Sequence, residues 1–231
     1  MIFKEHLDLK GKHAIFSPSQ SYWTRYSDEK IADKLISVNM TQLGTEIHEF
    51  AASQIYMGAK VSGIRNLIGN IKTYIFSKYE HSDGLEYGLK LIRDLSYFKP
   101  EVYETIKEYI NDAIGFGMTP EQILYFSDNV FGTADTISFR DQQLRIHDLK
   151  TGQTPAHMEQ LMCYAALFCL EYGWRPYDIS IELRLYQLNE VLVHNPEPEE
   201  IEAIIESILR IEKIKTNIDK NESKLMKGIQ G

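Results

Sequence analysis

The sequence predicts an α+β protein in which a mainly helical N-terminal part leads into a β-sheet interleaved with helices. Three observations predict it. Apolar residues recur at helical spacing up to "INDAIGFG"; from Gly132 onward they alternate with polar ones, which is the period of a strand; and one further helical run, "MEQLMCYAALFCLEYG", separates two alternating stretches. A hydrophobic content of 43% and a charged content of 25% are ordinary for a folded chain. No Pro-, Gly- or Ser-rich linker divides the 231 residues, so one domain is expected over 1–231, with 1–120 mainly helical, 121–217 carrying sheet and helices, and 218–231 a frayed tail.

Each element has its own signal. In "SPSQSYW", Ser17 is the cap of a helix with Pro18 at its first position, where the missing N–H costs nothing. "MTQLGTEIHEFAASQIYMG" sets Leu43, Ile47, Phe50, Ala51 and Ile55 on one helical face, with Thr41 as its cap. "PEVYETIKEYINDAIGFG" starts a helix on Pro100 and stops it at glycine.

"ILYFSDNVFGTADTISF" is rich in Val, Ile, Phe and Tyr and reads as the first strand. "RDQQ" is a polar turn and "LRIHDLK" the second strand. "TPAHMEQLMCYAALFCLEYG" is a helix with Thr154 as cap, Pro155 at its first position and Gly173 beyond its end. "YDISIELRLYQLNEVLVHNP" alternates through Ile179, Ile181, Leu183 and Leu185 and turns back near Asn189. "PEEIEAIIESILRIEKIKTN" closes the chain as a helix. The order is helices, two strands, helix, two strands, helix.

Cys163 and Cys169 share one apolar helix and read as small buried hydrophobes, with no disulfide framework or thiolate metal site. The opening "MIFKEHLDLKGKH" lacks a signal-peptide core, and no apolar run approaches the ~20 residues that span a bilayer, so a cytoplasmic protein without a membrane partner is expected. A net charge of -8 argues against indiscriminate nucleic-acid binding, yet leaves room for a site where metal ions supply positive charge.

Chemistry enters at "LRIHDLKTG". Leu144, Ile146, Asp148 and Lys150 share one strand face, so an apolar face turns acidic and then basic. If Arg140 lies opposite Gln143 across the turn, then Phe139 faces Leu144, Ile137 faces Ile146, and Asp135 faces Asp148. Directly opposed like charges are destabilising. One carboxylate takes up a proton, Lys150 neutralises the pair, or a divalent cation bridges them. An ordinary surface hairpin with an ion pair has the same spacing.

The wider set of motifs resembles the PD-(D/E)XK nuclease superfamily, and within it the RecB-like exonucleases, which include phage recombination exonucleases and CRISPR-adaptation nucleases. The pattern is a helical G-x-x-x-H, a strand Asp after glycine, a strand D/E-x-K and a helical Q-x-x-x-Y. The chain has "GTEIH" ending at His48, "GTAD" ending at Asp135, "DLK" from Asp148 to Lys150, and "QLMCY" from Gln160 to Tyr164, in that order. "TAD" stands where the superfamily's name-giving motif has "xPD".

The resemblance implies an α/β/α core around a central mixed sheet, and a metal-dependent DNA exonuclease acting in phage or mobile-element recombination, in the host cytoplasm if phage-encoded. His48, Asp135, Asp148 and the Leu149 carbonyl would hold Mg or Mn, the imidazole suiting Mn better. Lys150 would orient or deprotonate the attacking water, making Asp135, Asp148 and Lys150 the catalytic set. Gln160 and Tyr164, four apart on one helix face, would meet the nucleic acid, or Tyr164 only finds a hydrogen-bond partner in a buried helix.

Two cysteines cannot hold the four-thiolate iron–sulfur cluster of the CRISPR-adaptation branch, so none is expected, and no ATP-binding G-x-x-x-x-G-K-[ST] is present. The partners implied are DNA, further copies of the chain, and a single-strand annealing or recombination protein. Glu49 and His147 hold no motif position, and Arg184 and Tyr186 either contact the backbone of the nucleic acid or cover the sheet. A fold retained as a non-cutting module that binds DNA or protein is the alternative.

Overall fold

A computed structural model describes residues 24–81, 83–152 and 157–229. Helix α1, Asp28–Met57, starts where the Ser27 hydroxyl accepts the Lys30 N–H at 3.3 Å, with Asp28 and Glu29 in the first turn, and ends on Gly58 in the left-handed conformation. The cap expected at Thr41 is corrected: Thr41 lies within α1 and its hydroxyl donates to the Ser37 carbonyl. The cap expected at Ser17 with Pro18, like Thr154 with Pro155, lies outside the described residues.

Helix α2, Ile64–Tyr79, buries Leu67, Ile71 and Ile75, one per turn of the same face. Helix α3, Leu85–Asp94, runs into a 3-10 turn, Leu95–Tyr97, and helix α4, Pro100–Gly115, begins on the expected proline.

Strands β1, Thr119–Ser127, β2, Val130–Arg140, β3, Gln143–Lys150, β4, Ser180–Gln187, and β5, Glu190–His194, form one sheet in that order. β3 and β4 run parallel and the other neighbours antiparallel, so the sheet is mixed and the α+β class holds. Three strands precede the crossover helix instead of the expected two. Reading "ILYFSDNVFGTADTISF" as one strand missed the Asp128–Asn129 reversal, where Ser127 pairs with Val130. Ser, Asp and Asn in succession carry that turn chemistry.

Helix α5, Glu159–Tyr172, joins the parallel pair and stops at Gly173 with φ 72°. Helix α6, Pro198–Ile229, runs through the tail expected to fray from 218, because neither Pro nor Gly interrupts the sequence between Pro198 and Gly228.

The sheet is covered on both faces. Leu149 and Tyr186 join the core built by α1 to α4, while Leu144, Ile146, Leu183 and Leu185 join the core built by α5 and α6. Burial on both sides encloses Ile146 to Leu149, and water reaches β3 at its two ends, at Gln143 and Arg145 and again at Lys150. No described helix is long and apolar enough to cross a membrane.

Candidate functional site

The β2–β3 register follows the expected count, with Arg140 opposite Gln143, Phe139 opposite Leu144 and Ile137 opposite Ile146, and the ladder ends at Thr136 and His147. One step further, the strand changes phase. Ala134 and Ile137 pack into the same core although they are three apart, and strict alternation would put them on opposite faces. The slip falls at Asp135 and Thr136. In β1, between the paired Pro120 and Gln122, Glu121 takes φ 51°, a left-handed conformation that is uncommon for a side-chain-bearing residue. Both strands bend at one level. Asp135 therefore does not complete a ladder pair with Asp148; its Oδ2 accepts the Leu149 N–H at 2.9 Å and stands in for a strand partner.

The same oxygen lies 3.2 Å from His48 Nδ1 on α1. Burial disfavours the charged imidazole, but the hydrogen bond to Asp135 and its charge, with that of Asp148, outweigh it and raise the His48 pKa. Glycine sets how near α1 comes. A Cβ on Gly44 would stand 3.1 Å from the Thr151 hydroxyl, so the first residue of "GTEIH" lets the helix approach the loop after β3. Glu46, buried on the same helix, accepts from Lys78 at 2.9 and 3.1 Å and from Tyr79 at 2.7 Å, which ties α1 to α2.

Asp148 is 1% exposed. Lys150 Nζ donates to its Oδ1 at 3.1 Å; Nζ also lies 2.9 Å from Oδ2, but at an angle that makes an ion pair and no hydrogen bond, so Oδ2 is buried without a hydrogen-bond partner. Burial first, and the like charge of Asp135 second, push the Asp148 carboxyl up to about 6 against the pull of Lys150. Lys150 also donates to Gln160 Oε1 at 3.0 Å, and Gln160 Nε2 donates to the Tyr164 hydroxyl at 3.2 Å. The two helix residues thus face the lysine as a hydrogen-bonded pair.

His48, Asp135, Leu149 and Lys150 line a cleft of about 880 Å³, together with Thr41 and Gly44 from the His48 face of α1 and Tyr97 to Lys99. Glu121 lines it too, and sequence reasoning missed it. Burial and the charge of Asp135 raise its pKa. Its only sequence signal is its place opposite Asp135, which becomes legible once β1 is recognised as a separate strand.

Arg184 and Tyr186 cover the sheet on the α4 side: both reach Asp112 Oδ2, at 3.2 and 2.8 Å. His147, buried beside them, has its pKa lowered to about 3 by burial and then by Arg184 and Arg145. Glu49 pairs with Lys78. Cys169 is buried as expected, whereas Cys163 is exposed, a correction to its reading as a buried hydrophobe; Met162 to Tyr164 form the less covered face of α5.

Among the described residues, no three His, Cys, Asp or Glu side chains are gathered closely enough to hold a metal ion as they stand. The donor types nevertheless fit a hard divalent cation. Two carboxylates repel each other across the β2–β3 bend, and one of their oxygens is buried with no hydrogen bond to satisfy it.

Residues 13–215 match the family model described as protein of unknown function (DUF2800). No curated protein and no solved structure matches the chain.

Proposed function

We propose that the chain, which belongs to the DUF2800 family, is a metal-dependent DNA exonuclease of the PD-(D/E)XK type. The observation that carries the reading is that His48, Asp135, Leu149 and Lys150 line one open cleft, with the buried Asp148 carboxylate behind them, like-charged with Asp135 and ion-paired to Lys150. Lys150 offsets one of the two like charges, and a divalent cation would offset the rest.

Asp135, Asp148, the Leu149 carbonyl and His48 would hold Mg or Mn. Bound there, such an ion supplies Lewis acidity toward a phosphate oxygen and lowers the pKa of a water. The chain's own groups do the rest. Gln160 and Asp148 fix Lys150 through two of its three ammonium hydrogens and leave the third to the attacking water or to a phosphate oxygen. The water oxygen bonds to phosphorus and gives up its proton to solvent, the bond to the departing sugar oxygen breaks, and that oxygen takes a proton from solvent. Lys150 offsets the charge that builds on the phosphate oxygens. His48, hydrogen-bonded to Asp135, holds that carboxylate in place. The likeness of the four motifs to phage recombination exonucleases supports end processing as the setting, beside an annealing or recombination partner.

A second reading, a module that binds DNA or protein without cutting, is favoured by the lack of a preassembled metal-holding group among the described residues. One experiment separates the two: linear duplex and single-stranded DNA incubated in Mg or Mn with the protein and with Asp148→Ala and Lys150→Ala. Digestion that needs the ion and disappears in both variants supports the nuclease; DNA bound and left intact supports the module.

A further inference from the structure

We infer that the cleft takes a single unpaired DNA strand, with one base stacked on Tyr97 and a neighbouring phosphate held by Lys99. The inference rests on the nuclease reading, because it assigns a substrate form to the same cleft.

Part of the cleft lining is the short segment from Tyr97 to Lys99. Leu95 and Phe98 are anchored in the core, and the Tyr103 hydroxyl donates to the Leu95 carbonyl at 2.6 Å while its ring meets Phe98 edge-on at 5.9 Å. Between these anchors Tyr97 is 57% exposed, and it lines the cleft. An exposed aromatic ring by itself is ordinary. This one is held between two buried anchors and lines the same cleft as His48, Asp135 and Lys150, and the exposed Lys99 follows two residues later in that lining.

A ring can stack only on a base whose face is free, which in a duplex means breaking a stack. A volume of about 880 Å³ lies within the range of about 300–1,000 Å³ for pockets that enclose drug-sized ligands, so it suits a short stretch of one strand. Charge restricts where the strand can lie. Asp33, Glu121 and Asp135 also line the cleft, so a phosphate chain is tolerated only where a cation or a lysine meets it, and Lys99 supplies a second positive charge besides Lys150.

The test is fluorescence anisotropy in Ca with three labelled probes: a 15-nucleotide oligo-dT, an abasic strand of equal length, and a blunt duplex. The full chain binds oligo-dT more tightly than duplex. Tyr97→Ala weakens oligo-dT by about 5- to 150-fold, leaves the abasic strand unchanged, and is rescued by Tyr97→Phe. Lys99→Gln weakens both strands and lowers the salt dependence by about 0.7 in logarithmic slope.

Duplex bound more tightly than oligo-dT, or Tyr97→Ala affecting neither strand or both equally, overturns the inference. The nuclease reading fails on a different result, the absence of ion-dependent digestion by the unaltered protein. Digestion with a silent Tyr97→Ala removes only the strand assignment.

Discussion

Tyr164 lies so close to Gly132 that a Cβ on the glycine would stand 2.9 Å from ring atom Cε1. Through Gln160 that ring is linked to Lys150, so a strand glycine three residues before Asp135 governs where the lysine's support sits. Gly132→Ala is expected to displace Tyr164 and to lower digestion tenfold or more, with a loss of about 1–3 kcal/mol in stability. Combining it with Tyr164→Leu should cost less stability than the sum of the single changes, which a double-mutant cycle by urea unfolding checks.

Asp148 holds its proton more tightly in the folded chain than in the unfolded one, its pKa rising from 3.8 to about 6 through burial and then Asp135. Between those values the folded state binds more protons, so this carboxyl favours folding below pH 4, and the benefit is lost as pH rises through about 6. In ion-free buffer, Asp148→Asn is expected to be more stable than the unaltered protein at pH 7.5, by about 1–3 kcal/mol. Equal stabilities at pH 7.5 would contradict the unsatisfied carboxylate. Mn affinity, read by titration calorimetry, should weaken as pH falls through 6, since proton and ion compete.

His147 titrates with the opposite sign. Its folded pKa of about 3 lies below the ordinary 6.5, so the unfolded chain takes up the proton first, and stability falls as pH drops from 6.5 toward 3. Tyr186 donates its one proton to Asp112, so His147 Nδ1 is the donor in their 3.3 Å contact and Nε2 is left buried without a partner. In an Asp148→Asn background, His147→Gln should flatten the acid slope by about 1.4 kcal/mol per pH unit within that window. An unchanged slope would mean that the ring is already charged when folded.

Calcium is expected to support DNA binding without digestion, since it accepts the same oxygen ligands with looser geometry than Mg or Mn. Gel-resolved products after prolonged incubation in each ion provide the check. Brisk cutting in Ca would count against ordered positioning of the water.

Long-range pairing was legible where turn chemistry is unambiguous. "RDQQ" gave the β2–β3 register, and the Asn189 turn gave β4 and β5, with Leu188 and Asn189 both at positive φ. His48, Asp135, Asp148 and Lys150 could be brought together on paper because motif order and element type agree. The failures have local causes. The reversal at Asp128 and Asn129 sits inside an otherwise continuous β-prone run, so Ile123 to Phe139 reads as one strand, and Glu121 precedes that run. Thr41 resembles a cap until Ser27, fourteen residues earlier, is seen to start the same helix. The phase slip at Asp135 has no sequence signature, because no residue is inserted there: Pro120 stays paired with Thr136 and Gln122 with Ala134.

The parallel pairing of β3 with β4 sends the chain back across the sheet through α5, so the loop after Lys150 and the tip at Asp141 and Gln142 occupy opposite ends of β3. At about 3.3 Å per residue, that strand separates them by roughly 23 Å. A fluorophore or an affinity handle attached at Asp141 can therefore immobilise or track the molecule while the far end stays unencumbered.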